Sequence, residues 1–472
     1  MTSPVMSDPA TAITSDNTES ERLAQFTLGL TLQSLPPAVV ELAKLHFLDV
    51  LGVALASSRH DFGRAILAGS AELGNGTEAR AIGSGRRLPA ASAALVNGTL
   101  AHGLDFDDTH IGAIYHASAP AFAAAVSVGD RLRASGAAVL LAYVTAMEVG
   151  CRIAAAAAGK FHDRGFHPTA LAGTFAAAAA TAQLHGDSQQ SLVWALGLCG
   201  SQASGILELG GSWLKRFHPG WSAHAGITAA ALGRHGFRGP RTVLEGGHGL
   251  YATHIGEGPS AQRMPSAQLG QEWLMLGTAL KPYPCCHFIH AFVDAALALR
   301  GQLVIEQIER IDGYLHRRIL PLVAAPRERC VRPATIYDAL FSVHFVVAQA
   351  LVKGRVDLSA FYDEPLDDAA VLRVADLVHV HEDPASDFPA NFPGELRITL
   401  KDGRVLTRRE PTSLGTPSRR LSAGQIAEKF HLNAARVVTP GRARSIVDAV
   451  AGLDALADIG ELISLCVTDQ GA

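Results

Sequence analysis

Through much of the first 280 positions, apolar residues recur every three or four places, the spacing of helices that bury one face. A helix is predicted over Val39 to Leu55, just after Pro36-Pro37, because proline is tolerated at a helix start. The same periodicity runs through Ala90 to Leu104, Ala119 to Arg133, Ala137 to Ala158, Thr169 to Leu184 and Ser191 to Ser204. Alanine and glycine are abundant on these segments. Small side chains let helix axes approach closely, so the pattern predicts an all-α domain with tight crossings.

After Lys281 the pattern changes. Ile305 to Leu315, Ala375 to His381 and Glu395 to Leu400 show β-like alternation, strictest in the last. Asp402-Gly403 then supplies a hairpin turn and Val405 begins a second strand. Helices are predicted between these strands, from Ile336 to Val352 and from Asp367 to Val374. The stretch 281–410 therefore reads as a smaller α/β domain. Helical patterning returns from Ser422, over Ala423 to Phe430 and Ala443 to Leu456. No repeat of 20–50 residues is present. Residues 1–21 are rich in Ser, Thr, Asp and Pro and read as a disordered lead-in, without the basic start and apolar run of a secretory signal.

Composition narrows the function classes. With 472 residues and 48% hydrophobic content the chain can bury a large core and form more than one domain. A formal net charge of -4 supplies no broad cationic field for nucleic acid or an anionic membrane. No run of about 20 apolar residues makes a convincing membrane span, and Thr169 to Leu184 comes closest. Six cysteines, at 151, 199, 285, 286, 330 and 466, lack finger spacing, and only Cys285 and Cys286 are close in sequence. Reduced thiols in a cytoplasmic protein fit that distribution. Gly246-Gly247-His248-Gly249 lacks the strand and helix of a dinucleotide site, and no Walker motif is present.

Candidate chemistry lies in four clusters. His102-Gly103-Leu104-Asp105-Phe106-Asp107-Asp108-Thr109-His110, continuing to His116, holds three carboxylates and three histidines without a lysine or arginine. It reads either as a helix cap with a polar turn or as carboxylates tuning imidazoles for acid–base work. Arg164-Gly165-Phe166-His167-Pro168-Thr169 puts His167 at a helix start, where unpaired N–H groups attract carboxylates. Lys215-Arg216-Phe217-His218-Pro219-Gly220 offers a two-cation carboxylate clamp or, alone, a surface basic pair. Lys281-Pro282-Tyr283-Pro284-Cys285-Cys286-His287-Phe288-Ile289-His290 stands at the change of texture, as a linker with buried thiols or as a pocket wall exposing Cys286 or His287.

In order and wording these clusters resemble the MmgE/PrpD family, as do Leu244-Glu245-Gly246, Arg332-Pro333-Ala334-Thr335 and Asp338-Ala339-Leu340-Phe341-Ser342. The similarity runs from about residue 22 to 465. It implies a mainly α fold: an all-α domain from residues 22–280 and 411–472, a smaller α/β lid domain from 281–410, and a homodimer with the site between domains. It implies cofactor-free chemistry on a small polycarboxylate, with no metal, nucleic acid or membrane partner. Family activities include 2-methylcitrate dehydration, cis-aconitate decarboxylation and iminodisuccinate epimerisation. Carried over by motif, Asp105, Thr109, His116, His167 and Lys215 match positions lining the site in the decarboxylases. Cys286 follows the dehydratase-type and fungal-type pattern where the animal-type decarboxylase has histidine. The Thr109 to His116 gap is one residue longer than in the animal-type enzyme.

On this reading His116 and His167 form the acid–base pair, Asp105 orients or tunes an imidazole, and Lys215 stabilises developing charge. Arg216, Lys281, Cys286, His287, His102 and Asp108 are the candidates for substrate contact. The first expectation is loss of water from a citrate-like acid. Decarboxylation or epimerisation on the same scaffold comes second, and a non-catalytic carboxylate-binding protein third.

Overall fold

The computed structural model describes residues 17–388 and 390–468. The lead-in expected over 1–21 lies outside the described residues as far as residue 16. Its end is corrected: Thr18 caps a helix over Glu19–Gly29 through a reciprocal capping box with Glu21. Buried Glu19 accepts hydrogen bonds from the Ser266 backbone N–H at 2.9 Å and hydroxyl at 2.8 Å, anchoring that helix to a distant loop.

The fold is mainly α, with small sheets. Helices occupy Pro37–Ser57, Ala90–Ala101, Ser118–Leu132, Gly136–Ala156, Pro168–His185 and Gln189–Cys199. The last stops before the expected Ser204, and Ala90–Ala101 before Leu104. Helices without a counterpart in the sequence reading include Asp61–Glu72, Leu214–Arg234 and His290–Arg300. Pro219 hid the second. Proline has no N–H and crowds the preceding turn, so its motif reads as a loop, yet it lies inside this 21-residue helix.

Around that proline the long helix packs closely on its neighbours at glycines. A Cβ on Gly98 would stand 2.7 Å from the Gly220 Cα and 2.9 Å from the Pro219 oxygen. A Cβ on Gly173 would stand 2.6 Å from the Ser222 Oγ. Leu214–Arg234 therefore crosses both Ala90–Ala101 and Pro168–His185 at backbone distance, and these crossings fix where its first turn sits.

Buried apolar residues form two clusters. The large one joins Leu23 through Leu280 to residues between Leu421 and Cys466. The returning Ala423–Ala434 helix packs on Pro37–Ser57, where a Cβ on Gly52 would lie 2.9 Å from the Phe430 ring. Its Lys429 reaches Asp49 at 2.6 Å. The smaller cluster spans Cys285 to Leu400. It backs a four-stranded sheet in the order Val378–Glu382, Ile308–Leu315, Gly394–Leu400, Val405–Glu410. The first pair is parallel, with Ile311 opposite Val378, and the others are antiparallel. The expected hairpin turn carries Gly403 at φ +85°. Several boundaries differ, among them the strand expected from Ile305, which begins at Ile308. Ala375 belongs to the Ala369–Asp376 helix, and the helix expected from Ile336 to Val352 breaks where Ser342 caps Val343–Lys353. The two crossings between lobes run side by side, with the Leu280 N–H donating to the Gly415 carbonyl at 3.0 Å.

Among the described residues one helix, Gly136–Ala156, is long and apolar enough to cross a membrane, and 83% of its most apolar window is buried. It displaces Thr169 to Leu184 as the nearest approach to a span. Its Glu148 and Arg152 pair at 2.6 Å, and Arg152 donates to the carbonyls of Ala267 and Glu272.

The glycine crossings yield a stability test of opposite signs. Gly98→Ala is expected to destabilise the protein by about 1–3 kcal/mol through overpacking. Gly69→Ala, on an exposed helix face with nothing within 4 Å, is expected to stabilise by about 0.5–1 kcal/mol. Urea unfolding of both variants decides it, and equal shifts would refute the close crossing.

Candidate active site

The first cluster begins where the Ala90–Ala101 helix ends. His102 caps that end, and the turn places Asp105 in the left-handed region at φ +50°, which aspartate tolerates better than most side chains. The carboxylate is held from two sides. Lys215, in the first turn of Leu214–Arg234, donates to Oδ2 at 2.8 Å. Lys281, at the start of the crossing into the small lobe, donates to Oδ1 at 3.0 Å and to the Asp105 carbonyl at 2.7 Å. Burial would raise the Asp105 pKa, but Lys215 and Lys281 outweigh it and hold the carboxyl well below the usual range.

Behind this knot lies a set of imidazoles. His102 Nδ1 donates to Asp107 Oδ1 at 2.7 Å, and His116 Nδ1 donates to the Asp108 carbonyl at 2.8 Å. Asp107 Oδ2 lies 3.5 Å from His116 Nδ1. Both partners are acceptors, so each ring carries a proton on Nδ1 and leaves Nε2 outside that anchor. His116 Nε2 lies 3.9 Å from Asp105 Oδ1. His167 stands at the N-cap of Pro168–His185, its Nδ1 3.0 Å from His218 Nδ1. The ring centroids of His102, His116 and His167 lie 4.3 to 5.9 Å apart. Burial pushes His102 down to about 4, and burial with the nearby Lys215 charge holds His167 well below its ordinary value.

A cleft of about 650 Å³ reaches this set at His102, with His116 and His167 behind that ring, outside the lining, at centroid distances of 4.3 and 5.8 Å. From the large lobe it is lined by His102, Asp105, Lys215 and Arg216, and from the small lobe by Arg329, Tyr337 and Leu340. A larger groove of about 1030 Å³ along the Ala423–Ala434 and Pro440–Ala451 helices holds none of these imidazoles, so the chemistry is assigned to the smaller cleft. Arg216 is steadied by donating to the Gly103 carbonyl at 2.6 Å and by lying over the Phe62 ring.

The structure therefore brings His102, Asp105, His116, His167, Lys215 and Arg216 together. Lys281 is buried and engaged with Asp105. Cys286 and His287 are both buried near the cleft. The Cys286 N–H donates to the carbonyl of the cleft residue Leu340, and burial raises its thiol to about 11. Both His287 nitrogens lack a hydrogen-bond partner, and burial holds that ring down to about 3. Thr109 is buried outside the cleft lining with its hydroxyl unpartnered. Asp108 is corrected: it does not contact the cleft, because Ser118 and His46 occupy its oxygens. The carboxylate that serves the imidazoles is Asp107, which the motif reading passed over between two similar neighbours. His218 and Tyr337 were also missed. His218 lies in the third motif, where the adjacent Lys215 and Arg216 are the stronger sequence signal.

Nitrogens of His102, His116 and His167 lie within 4.8 Å of one another, near enough for a cation to bridge. Asp105 and Asp107 form a second such group with His102 and His116, and the ammonium groups of Lys215 and Lys281 offset their charge. Imidazoles with one nitrogen anchored are equally suited to moving protons, and they are treated as acid–base groups below.

Residues 21–262 match the MmgE/PrpD N-terminal domain and residues 283–455 the MmgE/PrpD C-terminal domain. The chain is 28% identical over 468 residues to cis-aconitate decarboxylase of Aspergillus terreus, covering 94% of this chain and 95% of that protein. It is 27% identical over 458 residues to the Mus musculus cis-aconitate decarboxylase, covering 94% and 93%. For the Homo sapiens enzyme the values are 28% over 460 residues, covering 94% of each.

The buried imidazoles predict how stability depends on pH. His102 and His110 are held down to about 4 and His287 to about 3, in each case mainly by burial. Between about pH 6.5 and 4 the unfolded chain binds protons at these rings and the folded chain does not, so stability falls as pH falls. Each ring contributes on the order of 1.4 kcal/mol per pH unit across that window. Urea midpoints at pH 7, 6 and 5 should decline in step, and a flat series would contradict the burial of neutral rings.

Proposed function

The chain belongs to the MmgE/PrpD family, and from that premise we propose that it is a lyase removing CO2 from an unsaturated tricarboxylate of the cis-aconitate type, with its own side chains moving the protons. The observation that carries this reading is the likeness to cis-aconitate decarboxylases along the whole chain, which takes in every element contributing to the cleft. The composition of the cleft supports it. Asp105 and Asp107 are the carboxylates of the inner site, and both are committed, to ammonium groups and to imidazoles. Loss of CO2 needs an electron sink and one proton donor. Loss of water, the first expectation from the sequence, needs a base as well as a donor, and an imidazole would have to serve as that base.

In the proposed reaction Arg216 receives a carboxylate at the mouth and Lys215, steadied by Asp105, faces the carboxylate on which charge develops. Breaking the C–C bond leaves an electron pair spread over the adjacent double bond and carboxylate. His116 or His167 then protonates carbon. Counted as ions, Lys215 and Lys281 balance Asp105 and Asp107. Even with Arg216 offsetting one carboxylate, a tricarboxylate therefore brings excess negative charge to the imidazoles and favours their protonation. Burial holds His167 neutral in the free site, and the occupied site acquires the acid that the reaction consumes.

Proton NMR in D2O with EDTA, using cis-aconitate, citrate, 2-methylcitrate and iminodisuccinate in turn, tests the reading. Turnover of cis-aconitate to a five-carbon unsaturated diacid carrying one solvent deuterium is the expected result. Water loss from 2-methylcitrate alone would replace it with the dehydratase reading. His167→Ala should lower turnover by about 10²–10⁴ and Lys215→Ala by about 10²–10³, while EDTA leaves the rate unchanged.

A further inference from the structure

The imidazoles at the cleft are not anchored alike. His102 and His116 each direct Nδ1–H at an oxygen that can only accept. His167 is anchored by another imidazole: His167 Nδ1 and His218 Nδ1 lie 3.0 Å apart, both rings are buried, and their centroids are 5.1 Å apart. Imidazole nitrogen can donate or accept, so this contact always contains a proton that either ring can own.

We infer that His218 is the positioning residue of His167, sharing its Nδ1 proton so that the pair, rather than His167 alone, holds the proton delivered to substrate. This rests on the acid role proposed for His167. The charged pair carries three N–H protons on four nitrogens: one on each Nε2 and one between the two Nδ1 atoms. On delivery the His167 Nε2–H bond breaks and a C–H bond forms with the electron pair left by departing CO2. The shared proton stays on His167 Nδ1, His218 Nδ1 accepts it, and both rings end neutral. One proton taken from water restores the pair, matching the one proton consumed when a carboxylate is replaced by hydrogen.

The surroundings explain why a partner is needed. The charged and titratable groups facing the pair are Lys215 on the His218 helix, His102 at the end of Ala90–Ala101, and His116 from the loop before Ser118–Leu132. Each is cationic or becomes so on protonation. Asp107 meets His102 and His116 and makes no contact with the pair. The Gly205–Leu207 segment packed beside the rings carries no ionisable side chain, though the Gly205 carbonyl accepts the His167 backbone N–H at 2.9 Å. An isolated imidazolium at His167 would have no acceptor at Nδ1. His218 supplies one.

Two measurements test this. Tricarballylate, a saturated tricarboxylate that cannot lose CO2 by this route, is added to wild-type protein carrying ring-15N histidine, and the pH is varied. The His167 and His218 ring signals should move together with one midpoint. His218 signals that stay fixed while His167 titrates would overturn the proposal. That titration needs no turnover, so it stands or falls apart from the reaction assigned above. With a turned-over substrate, His218→Phe should lower kcat about 100-fold or more with KM within about threefold, and move the alkaline limb of kcat at least one pH unit lower. His218→Asn, whose amide oxygen can accept the Nδ1 proton, should recover most of the rate and the limb. Equal losses in the two folded variants, or an alkaline limb unmoved in both, would also overturn it.

Discussion

The site depends on one carboxylate held between two ammonium groups. Lys215 belongs to the large helical lobe, Lys281 to the crossing that leads into the small lobe, and Asp105 to a left-handed turn between them. Each lysine uses a different oxygen, so the side chain cannot turn without losing one of them. The same contact that sets the charge of the cleft also fixes where the small lobe leaves the large one. Chemistry and domain geometry are joined at a single residue.

That knot is placed by helix packing. His167 and Lys215 sit at the starts of long helices, and His102 at the end of another. The starts can meet because Leu214–Arg234 approaches its neighbours at glycines 98, 173 and 220. The small lobe contributes a wall with Arg329 and with Tyr337, whose short helix is capped by Thr335.

Most long helices, the hairpin and the two-texture layout were legible in the sequence, because amphipathic periodicity and turn chemistry act over short distances. The Leu214–Arg234 helix was not, since Pro219 signals a break unless glycine partners across the crossing are known. Among the site residues, His102, His116, His167 and Lys215 stood out as unusual residue types in ordered motifs. The division of labour among Asp105, Asp107 and Asp108 did not. Three aspartates within four positions have the same local chemistry, and only the left-handed turn at Asp105 separates one bound by lysines from one bound by imidazoles and one turned to Ser118 and His46. His218 was hidden for a related reason: its partner lies 51 residues away in the chain.

The return of the chain after the small lobe bears on the order of assembly. The small lobe draws its core from one continuous stretch, and everything it needs emerges from the ribosome together. The large core does not have that independence. The slot beside Gly52 stays empty until Phe430 arrives, and buried Asp49 lacks its ammonium until Lys429 follows the whole small lobe through synthesis. Lys429 also donates to the Phe106 carbonyl at 2.9 Å, one residue from Asp105. A nascent chain halted before that lysine would carry every imidazole of the cleft and still lack the contact that steadies the loop on which they depend.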